Sequence, residues 1–370
     1  MRVLAVNSGS VSLKVSLHEV TAGTARQLGT WHAALTDGAY AQAFDRIAHQ
    51  IGDDVLGTVD AAGHRIVNGG VHTQPMAIDP AVRAAIVDAE ALAPLHNHAA
   101  IEALDAARER LPALPMVAVF DTGFHASMPD VAARYALGAA VTGSEIRRYG
   151  YHGIAHQSML EQYARATGRQ PGECSVITLQ LGGGCSACAV RDGRSVDTSM
   201  GFTPLEGLMM ATRSGSIDPA IVTYLQRTRG LSPDQVDALL NERSGLLGVS
   251  ALSGNVVDLL RAEAQGNAAA ALALEMFCYR VRQCIGAYMA VIDARAVVFG
   301  GGIGEHSAVV RRRIIEPMAH LRLSLDARAN ERANGLAARI DAGSAIEVWV
   351  VDTDEASIIA RETAKVIEAH

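Results

Sequence analysis

No excess of basic residues marks this chain. Lys and Arg number 32 against 39 Asp and Glu in 370 residues, a formal net charge of −7. It therefore lacks the electrostatic footprint of a nucleic-acid binder. No run of about 18 uncharged apolar residues occurs, so no membrane span is expected. The apolar part of Met1–Asn7 is too short for a signal peptide. Cysteine is scarce and odd in number, five in all, which does not make a disulfide framework. Cys185 and Cys188 have redox-like spacing, but a redox pair wants a helix start and Gly184–Val190 reads as a strand. Residues three apart on a strand face opposite sides, so both are read as core residues and the compartment as the cytoplasm. No P-loop pattern is present. Glu305 stands where a dinucleotide fingerprint needs its third glycine. His152 and His156 have H-x-x-x-H spacing, but the Glu of a zinc helix is missing and Gly153 intervenes, which argues against zinc.

What is present is a large apolar fraction, 49% of the residues. That is enough for a sizeable core. At about 150 residues per domain the length suggests two to three domains. Arg2–Val6 reads as a strand, Asn7–Ser10 as a turn, and Val11–Val20 as a second strand. Its alternation puts Leu13, Val15 and Leu17 on one face and Ser12, Lys14, Ser16 and His18 on the other. A helix is expected near 40–51, a strand near 64–67, and a helix capped by Asp79 with Pro80 at its first position. Another helix near 99–111 precedes a strand at 115–120. The second half repeats the device. A strand at 175–181, the turn Gly182–Gly184, a strand at 185–191 and a hairpin at Asp192–Gly193 come first. A long helix near 267–292, strands at 297–299 and 347–351, and a helix after Asp354 follow. Each half opens as strand, Gly-turn, strand and continues as alternating α and β, which predicts a duplicated α/β chain. With no low-complexity linker, the two domains are expected to pack with a cleft between them.

Three Gly-rich turns follow strands: Asn7–Ser10, Gly182–Gly184 and Gly300–Gly304. Such turns present backbone N–H groups to anions, and also serve as ordinary turns. Lys14 lies beyond the first turn and is read either as a phosphate ligand or as a solvated lysine. Arg65 and Arg213 stand near Gly or Ser loops, a setting that suits bidentate binding of carboxylate or phosphate, or a surface ion pair. His96 belongs to a polar cluster after Pro94. Asp121 ends an apolar strand, where α/β sheets bind ligands. Asp354 and Glu355 open the last helix, either complementing its dipole or serving Mg²⁺. Residues and spacing thus point to a two-domain phosphate-handling enzyme.

Asn7-Ser-Gly-Ser-Val-Ser-Leu-Lys14 resembles the N-terminal signature of the acetate kinases, and Tyr149-Gly-Tyr-His-Gly-Ile-Ala-His156 is similar to their second signature. Asp197–Gly207, His64–Val67, Leu92–Asn97, Val119–Thr122, Thr212–Pro219 and Gly301–Glu305 resemble further family segments, in family order, over essentially the whole chain. The resemblance implies the acetate and sugar kinase, Hsp70 and actin superfamily. Its fold is α/β, with duplicated actin-like (ribonuclease H-like) domains and a central cleft. Residues 1–123 with 356–370 would form the acyl and phosphate side, and 124–355 the nucleotide-binding domain.

The implied reaction is reversible transfer of the ATP γ-phosphoryl group to acetate, giving acetyl phosphate and ADP, with Mg²⁺ or Mn²⁺ in its place. Arg65 and Arg213 would hold the carboxylate and the phosphoryl group. His152, and less directly His96, would stabilise that group in flight. Asp121 would organise metal or acceptor. Asn7 and Glu355 would serve the metal. Ser10, Ser12 and Lys14 would line the phosphate path. Val67, Leu95, Tyr151 and Pro204 would form the methyl pocket. Gly182, Gly183, Gly184, Asn255, Gly302, Ile303, Gly304 and His306 would meet the nucleotide. A homodimer is implied, with no nucleic-acid or membrane partner. The chain departs from the family pattern at Asn68 (usually His), Tyr151 (Phe), Gln180 and Gly183 (His and Asn), His306 (Asn), and Asn255-Val-Val257 (Asp-Phe-Arg). Apart from Asn68 and Tyr151, these changes fall on the donor side. They leave two alternatives beside the acetate kinase: a catalytically weak relative that binds nucleotide or acyl phosphate as a regulator, or an acyl kinase with an altered donor.

Overall fold

The computed structural model describes residues 1–9, 12–35, 39–92, 94–143 and 145–369, without the side chains at 91, 92, 94–96 and 139. Ser10 and the side chains of Leu95 and His96 lie outside the described residues. The chain forms two compact units: residues 1–126, 151–158 and 354–370, and residues 127–150 with 159–353. Among the described residues no helix is long and apolar enough to cross a membrane.

The first unit holds β1 (Arg2–Ser8), β2 (Ser12–Thr21), β3 (Thr24–Ala34), β4 (Ala61–Ile66), β5 (Met76–Ala77) and β6 (Met116–Phe120), in the order β3-β2-β1-β4-β6-β5. The first three strands are antiparallel, β1, β4 and β6 run parallel, and β5 is antiparallel to β6. The second unit holds β7 (Val176–Leu181), β8 (Cys185–Arg191), β9 (Arg194–Thr198), β10 (Ala296–Gly300), β11 (Ala338–Arg339) and β12 (Glu347–Val350). Their order is β9-β8-β7-β10-β12-β11, with the same strand directions. The two units therefore share one topology strand for strand, the signature of a duplicated actin-like domain.

Several local signals act as the sequence predicts. The Asp79 side chain accepts from Val82 N–H and caps helix Pro80–Asp88. The long helix expected near 267–292 forms as Ala268–Val291, and the structure adds that Asn267 caps it. In the first unit, Leu4, Val6, Leu13, Val15 and Leu17 pack against Phe44 and Ile47 of helix Tyr40–Ile51 and Leu104 of helix Pro94–Arg110. Each such side chain contributes about 1.5–3 kcal/mol on burial. The opposite sheet face is also covered. Helix Glu355–Glu368 lays Ile358, Ile359, Ala360 and Ala364 over Val3, Ala5, Val117 and Val119. This corrects the expected polar face of β2: Ser16 and His18 are buried and bonded to each other at 2.9 Å. Cys185 and Cys188 are buried free thiols, pushed up to about 12 by burial, so they are core residues and not a redox pair.

Two buried histidines of this unit carry a pH consequence. Burial pushes His64 down to about 3, helped by the Arg108 charge, and His125 down to about 4, opposed by its bond to the Tyr151 carbonyl. In the unfolded chain both titrate near 6.5, so the unfolded state binds more protons as pH falls below that value. Stability is therefore full above about pH 6.5 and falls below it, by about 1.4 kcal/mol per pH unit for each histidine. Urea midpoints are expected to drop steadily between about pH 6.5 and 5. A flat profile over that window would contradict the neutral buried state.

Candidate active site

Three neighbouring parallel strands of the first unit, β1, β4 and β6, each deliver one polar side chain at the carboxyl end: Asn7, Arg65 and Asp121. This is the end at which open α/β sheets bind ligands. Helix Glu355–Glu368 adds its first residue. Arg65 Nη2 donates to Asp121 Oδ2 at 2.6 Å, and Nε lies 3.1 Å from both carboxylate oxygens. Its Nη1 donates to Asn7 Oδ1 at 3.1 Å and stands 3.9 Å from Glu355 Oε2. Asn7 Nδ2 donates to the same Glu355 oxygen at 2.8 Å. The four side chains form one connected network, with Asp121 fully buried and the Arg65 side chain 16% exposed. Burial works against the Arg65 charge, but Asp121 and Glu355 more than offset it, so the guanidinium stays protonated. Burial pushes Asp121 up, while Arg65 and the His152 N–H pull it back.

The turn before helix Gly153–Thr167 closes on this network. His152 has φ 58°, in the left-handed region. That backbone costs an ordinary residue about 1–2 kcal/mol. Its N–H serves the Asp121 carboxylate, and Gly153 N–H donates to the Asp121 carbonyl at 2.9 Å. A Cβ at position 153 would lie 2.0 Å from that carbonyl, so only glycine fits. Asp121 is thus held at its side chain and its backbone by two successive residues. His156, one helical turn on, is buried against His125 and pushed well below the usual imidazole range by burial. It is a core residue. Among the described residues no group of three His, Cys, Asp or Glu can hold a metal.

Tyr151 and Val67 are buried beside this network in sequence. The Tyr151 hydroxyl accepts from Asn68 Nδ2 at 2.9 Å. Asn97, also buried, exchanges bonds with the Asn68 backbone at 3.0 and 2.8 Å. Sequence reasoning passed over Asn97 as part of a polar cluster; its role is to brace Asn68. Ser12 is half-buried, and Lys14 is exposed opposite Asn7 in the β1–β2 pairing.

The second unit gathers the other candidates along one loop system. The tip of the β7–β8 hairpin, Gly182–Gly184, is closed by Gly182 N–H to the Gly184 carbonyl at 3.1 Å. The Gly183 carbonyl accepts from Ala211 N–H at 3.2 Å, which brings the Arg213 loop against that tip. Burial lowers the Arg213 pKa, and its Nη1 donates to the Pro204 carbonyl at 3.2 Å. Beside β7, β10 ends at Gly300 and runs into helix Gly301–His306. Gly301 N–H is taken by Glu305 Oε1 and Thr353 Oγ1, both at 2.9 Å, so Gly302, Ile303 and Gly304 carry the next amides of the turn. His306 Nδ1 lies 2.6 Å from Asn334 Oδ1. Asn255 caps helix Val256–Ala264 by accepting from Val257 N–H at 2.8 Å. Arg148, Glu206 and Tyr135 form an ion-paired cluster here that sequence reasoning missed, because the residues lie far apart in the chain.

A duplicated β3-β2-β1-β4-β6-β5 sheet, with polar residues at the carboxyl ends of its parallel strands and Gly-turns repeated in both units, defines the actin-like class of phosphoryl-handling folds. Within that class the chain belongs to the acetokinase family, whose profile matches residues 27–361. It is 40% identical to an acetate kinase of Methanosarcina thermophila, covering 100% of this chain and 97% of the relative. It superposes on the crystal structure of Porphyromonas gingivalis acetate kinase with a TM-score of 0.89 at 32% identity, covering 99% of both chains. Against a propionate kinase from Francisella tularensis the TM-score is 0.90 at 35% identity, again over 99% of both.

Proposed function

We propose that this protein is an acetate kinase, transferring the γ-phosphoryl group of ATP reversibly to acetate. The observation that carries the reading is the Asn7–Arg65–Asp121–Glu355 network at the carboxyl ends of β1, β4 and β6. A bond forms between an acetate oxygen and the γ-phosphorus as the bond to the ADP oxygen breaks. Such a transition state needs positioning and charge neutralisation more than covalent help. Acetate is ionised at about pH 7, so no strong base is required. Arg65 holds the acceptor, Arg213 and His152 meet the phosphoryl group, and Asp121 orients Arg65. His96 supports the same group. Val67, Leu95, Tyr151 and Pro204 receive the methyl group. Ser10, Ser12 and Lys14 line the phosphate path. Gly182–Gly184, Asn255, Gly302–Gly304 and His306 take the nucleotide. On this reading the first unit is the acyl side and the second the nucleotide side.

Mg²⁺ fits the donor set. The protein offers carboxylate and amide oxygen at Glu355 and Asn7 but, among the described residues, no three-ligand cage. Mg²⁺ is commonly held by one or two carboxylates together with substrate phosphates and water. When bound, it neutralises phosphate charge. Mn²⁺ suits the same oxygens. ATP supply and five free cysteines support a cytoplasmic location, which cell fractionation tests. A homodimer is supported by helix Ala220–Arg229, which buries no residue of its own and displays Ile221 and Tyr224. Light scattering is expected to give twice the chain mass, and Tyr224→Glu to halve it. A monomeric wild type would exclude the dimer.

The direct test is a hydroxylamine trap with acetate and Mg-ATP. Acetyl hydroxamate is expected, with EDTA abolishing it. Acetate should be used best, propionate less well and butyrate poorly, since one methylene shifts discrimination by about 1–3 kcal/mol. No product above the metal-free background, with any nucleoside triphosphate or pyrophosphate, would leave only the regulator reading. A preference for butyrate would contradict the pocket assignment.

A further inference from the structure

Arg148 lies in the second unit and extends one guanidinium nitrogen, Nη1, to three successive carbonyls: Thr198 at 3.0 Å, Ser199 at 3.2 Å and Met200 at 3.3 Å. Its Nη2 donates to Glu206 Oε1 at 2.8 Å. The other Glu206 oxygen accepts from the Tyr135 hydroxyl, and that hydroxyl accepts from Phe202 N–H at 2.7 Å. The guanidinium also stands 5.7 Å from the Tyr135 ring centre. That separation is within cation–π range. Gly201 sits inside the cluster. A Cβ there would come 1.6 Å from the Glu206 carboxylate and 2.1 Å from the Tyr135 hydroxyl. The backbone from 198 to 206 is thus held by hydrogen bonds at Thr198, Ser199, Met200 and Phe202, and by close packing at Gly201.

The gripped segment contains Pro204, and the Pro204 carbonyl accepts from Arg213 Nη1 at 3.2 Å. The Arg148–Glu206 pair is sheltered, with the Arg148 side chain 17% exposed. Solvent therefore screens it less than a surface ion pair. Charged hydrogen bonds of this kind fix geometry as well as adding energy. The residues at the far end of this strut are the two that the acyl kinase reading places against the methyl group and the phosphoryl group.

We propose that Arg148, Glu206 and Tyr135 are positioning residues for acyl phosphoryl transfer. They set Pro204 through the backbone and, through its carbonyl, the Arg213 guanidinium. The inference rests on the acyl kinase reading. A displacement of about 1 Å at such groups costs on the order of 10²-fold in rate. Loosening the strut therefore moves both the acceptor pocket and the phosphoryl contact, while the nucleotide turn Gly302–Gly304 stays in place.

The test compares Tyr135→Phe, Glu206→Gln and Arg148→Lys with wild type, using acetate and propionate as competing acceptors and Mg-ATP as donor. Tyr135→Phe removes one hydroxyl and leaves the ring, so the chain is expected to fold. For each variant the expected result is a KM for acetate raised about 3- to 10-fold, a kcat lowered about 10-fold, and an unchanged KM for ATP. The kcat/KM ratio of propionate to acetate should rise about threefold or more as the pocket loosens. Lysine keeps the charge at 148 but not the fork, so Arg148→Lys should fail to rescue. A role confined to fold stability lowers only the active fraction: kcat falls, while both KM values and the acceptor ratio stay at wild-type values. That result overturns the inference, as does wild-type kinetics in Arg148→Lys. A wild-type protein inactive with both acids overturns the acyl kinase reading, and this inference with it.

Discussion

Arg65→Ala is expected to lower kcat/KM for acetate by about 10²- to 10⁴-fold, because it removes a charge-stabilising donor from a desolvated transition state. Arg213→Ala should fall in the same range, but the two variants should differ in stability. Arg65 neutralises Asp121, which is fully buried. Removing one partner of such a pair costs about 3–5 kcal/mol, because the other charge is left uncompensated. Arg213 donates to the neutral Pro204 carbonyl, so its loss strands no charge there and should cost much less in melting temperature. Arg65→Lys keeps the charge but loses the three-point contact with Asp121, and should recover stability more than rate. Steady-state kinetics and thermal melts of the three variants check this. Near-normal activity in either alanine variant would remove that arginine from the site.

The second large effect concerns the phosphoryl donor. Where the family pattern carries a carboxylate and a guanidinium for the adenosine, this chain has Asn255 and Val257. The Asn255 oxygen caps its own helix, which leaves only its neutral amide nitrogen for the nucleotide, and Val257 is apolar, so neither supplies the missing charge. His306 is tied to Asn334, and the Gln180 amide oxygen is buried without a partner. Hydrogen bonds to charged groups contribute about 1.5–3 kcal/mol each, so losing one weakens binding roughly 10- to 100-fold. The Gly302–Gly304 amides do not depend on a charge at position 255 or 257, so phosphate binding should persist. ATP is therefore expected to work with a raised KM and little advantage over GTP or other donors, pyrophosphate included. The measurement is kcat/KM for each donor at saturating acetate and Mg²⁺. A tight ATP KM with the alternatives about 100-fold worse would show that other residues replace the missing contacts.

Much of this arrangement was legible in the residues. The β1–β2 hairpin and its repeat at β7–β8 follow from alternation and glycine turns, and the Asp79 cap from side-chain chemistry. Arg65 was marked by the glycine loop that follows it, and Asp121 by its place at the end of an apolar strand. Other features depend on what packs where. β3 was not expected, because its residues are mostly exposed and show no apolar stripe. Ser16 and His18 were assigned to a polar face, and their burial is not legible there because the helix that covers that face is encoded more than three hundred residues later. Family position marks Asn255 as a nucleotide ligand; that its side-chain oxygen also caps the helix beginning at Val256 is a local fact the family pattern does not carry. Arg65 reads from sequence as a carboxylate or phosphate ligand or as a surface ion pair; that its partner is the buried Asp121 is a tertiary fact.

The helix Glu355–Glu368 also gives synthesis an order. Its Ile358 and Ile359 close the face of the first sheet, and Glu355 completes the polar network on Asn7 and Arg65. More than two hundred residues separate it from β6, which ends at Phe120. At roughly 5–20 residues per second, a ribosome needs tens of seconds to cover that distance. Until then the nascent first unit has only Ile154 of the same cluster to cover Ala5, Val117 and Val119, and Val3 lacks Ala360 and Ala364. A chain interrupted before residue 355 lacks both the cover and the Glu355 carboxylate, so the polar network assembles only once that helix has been made.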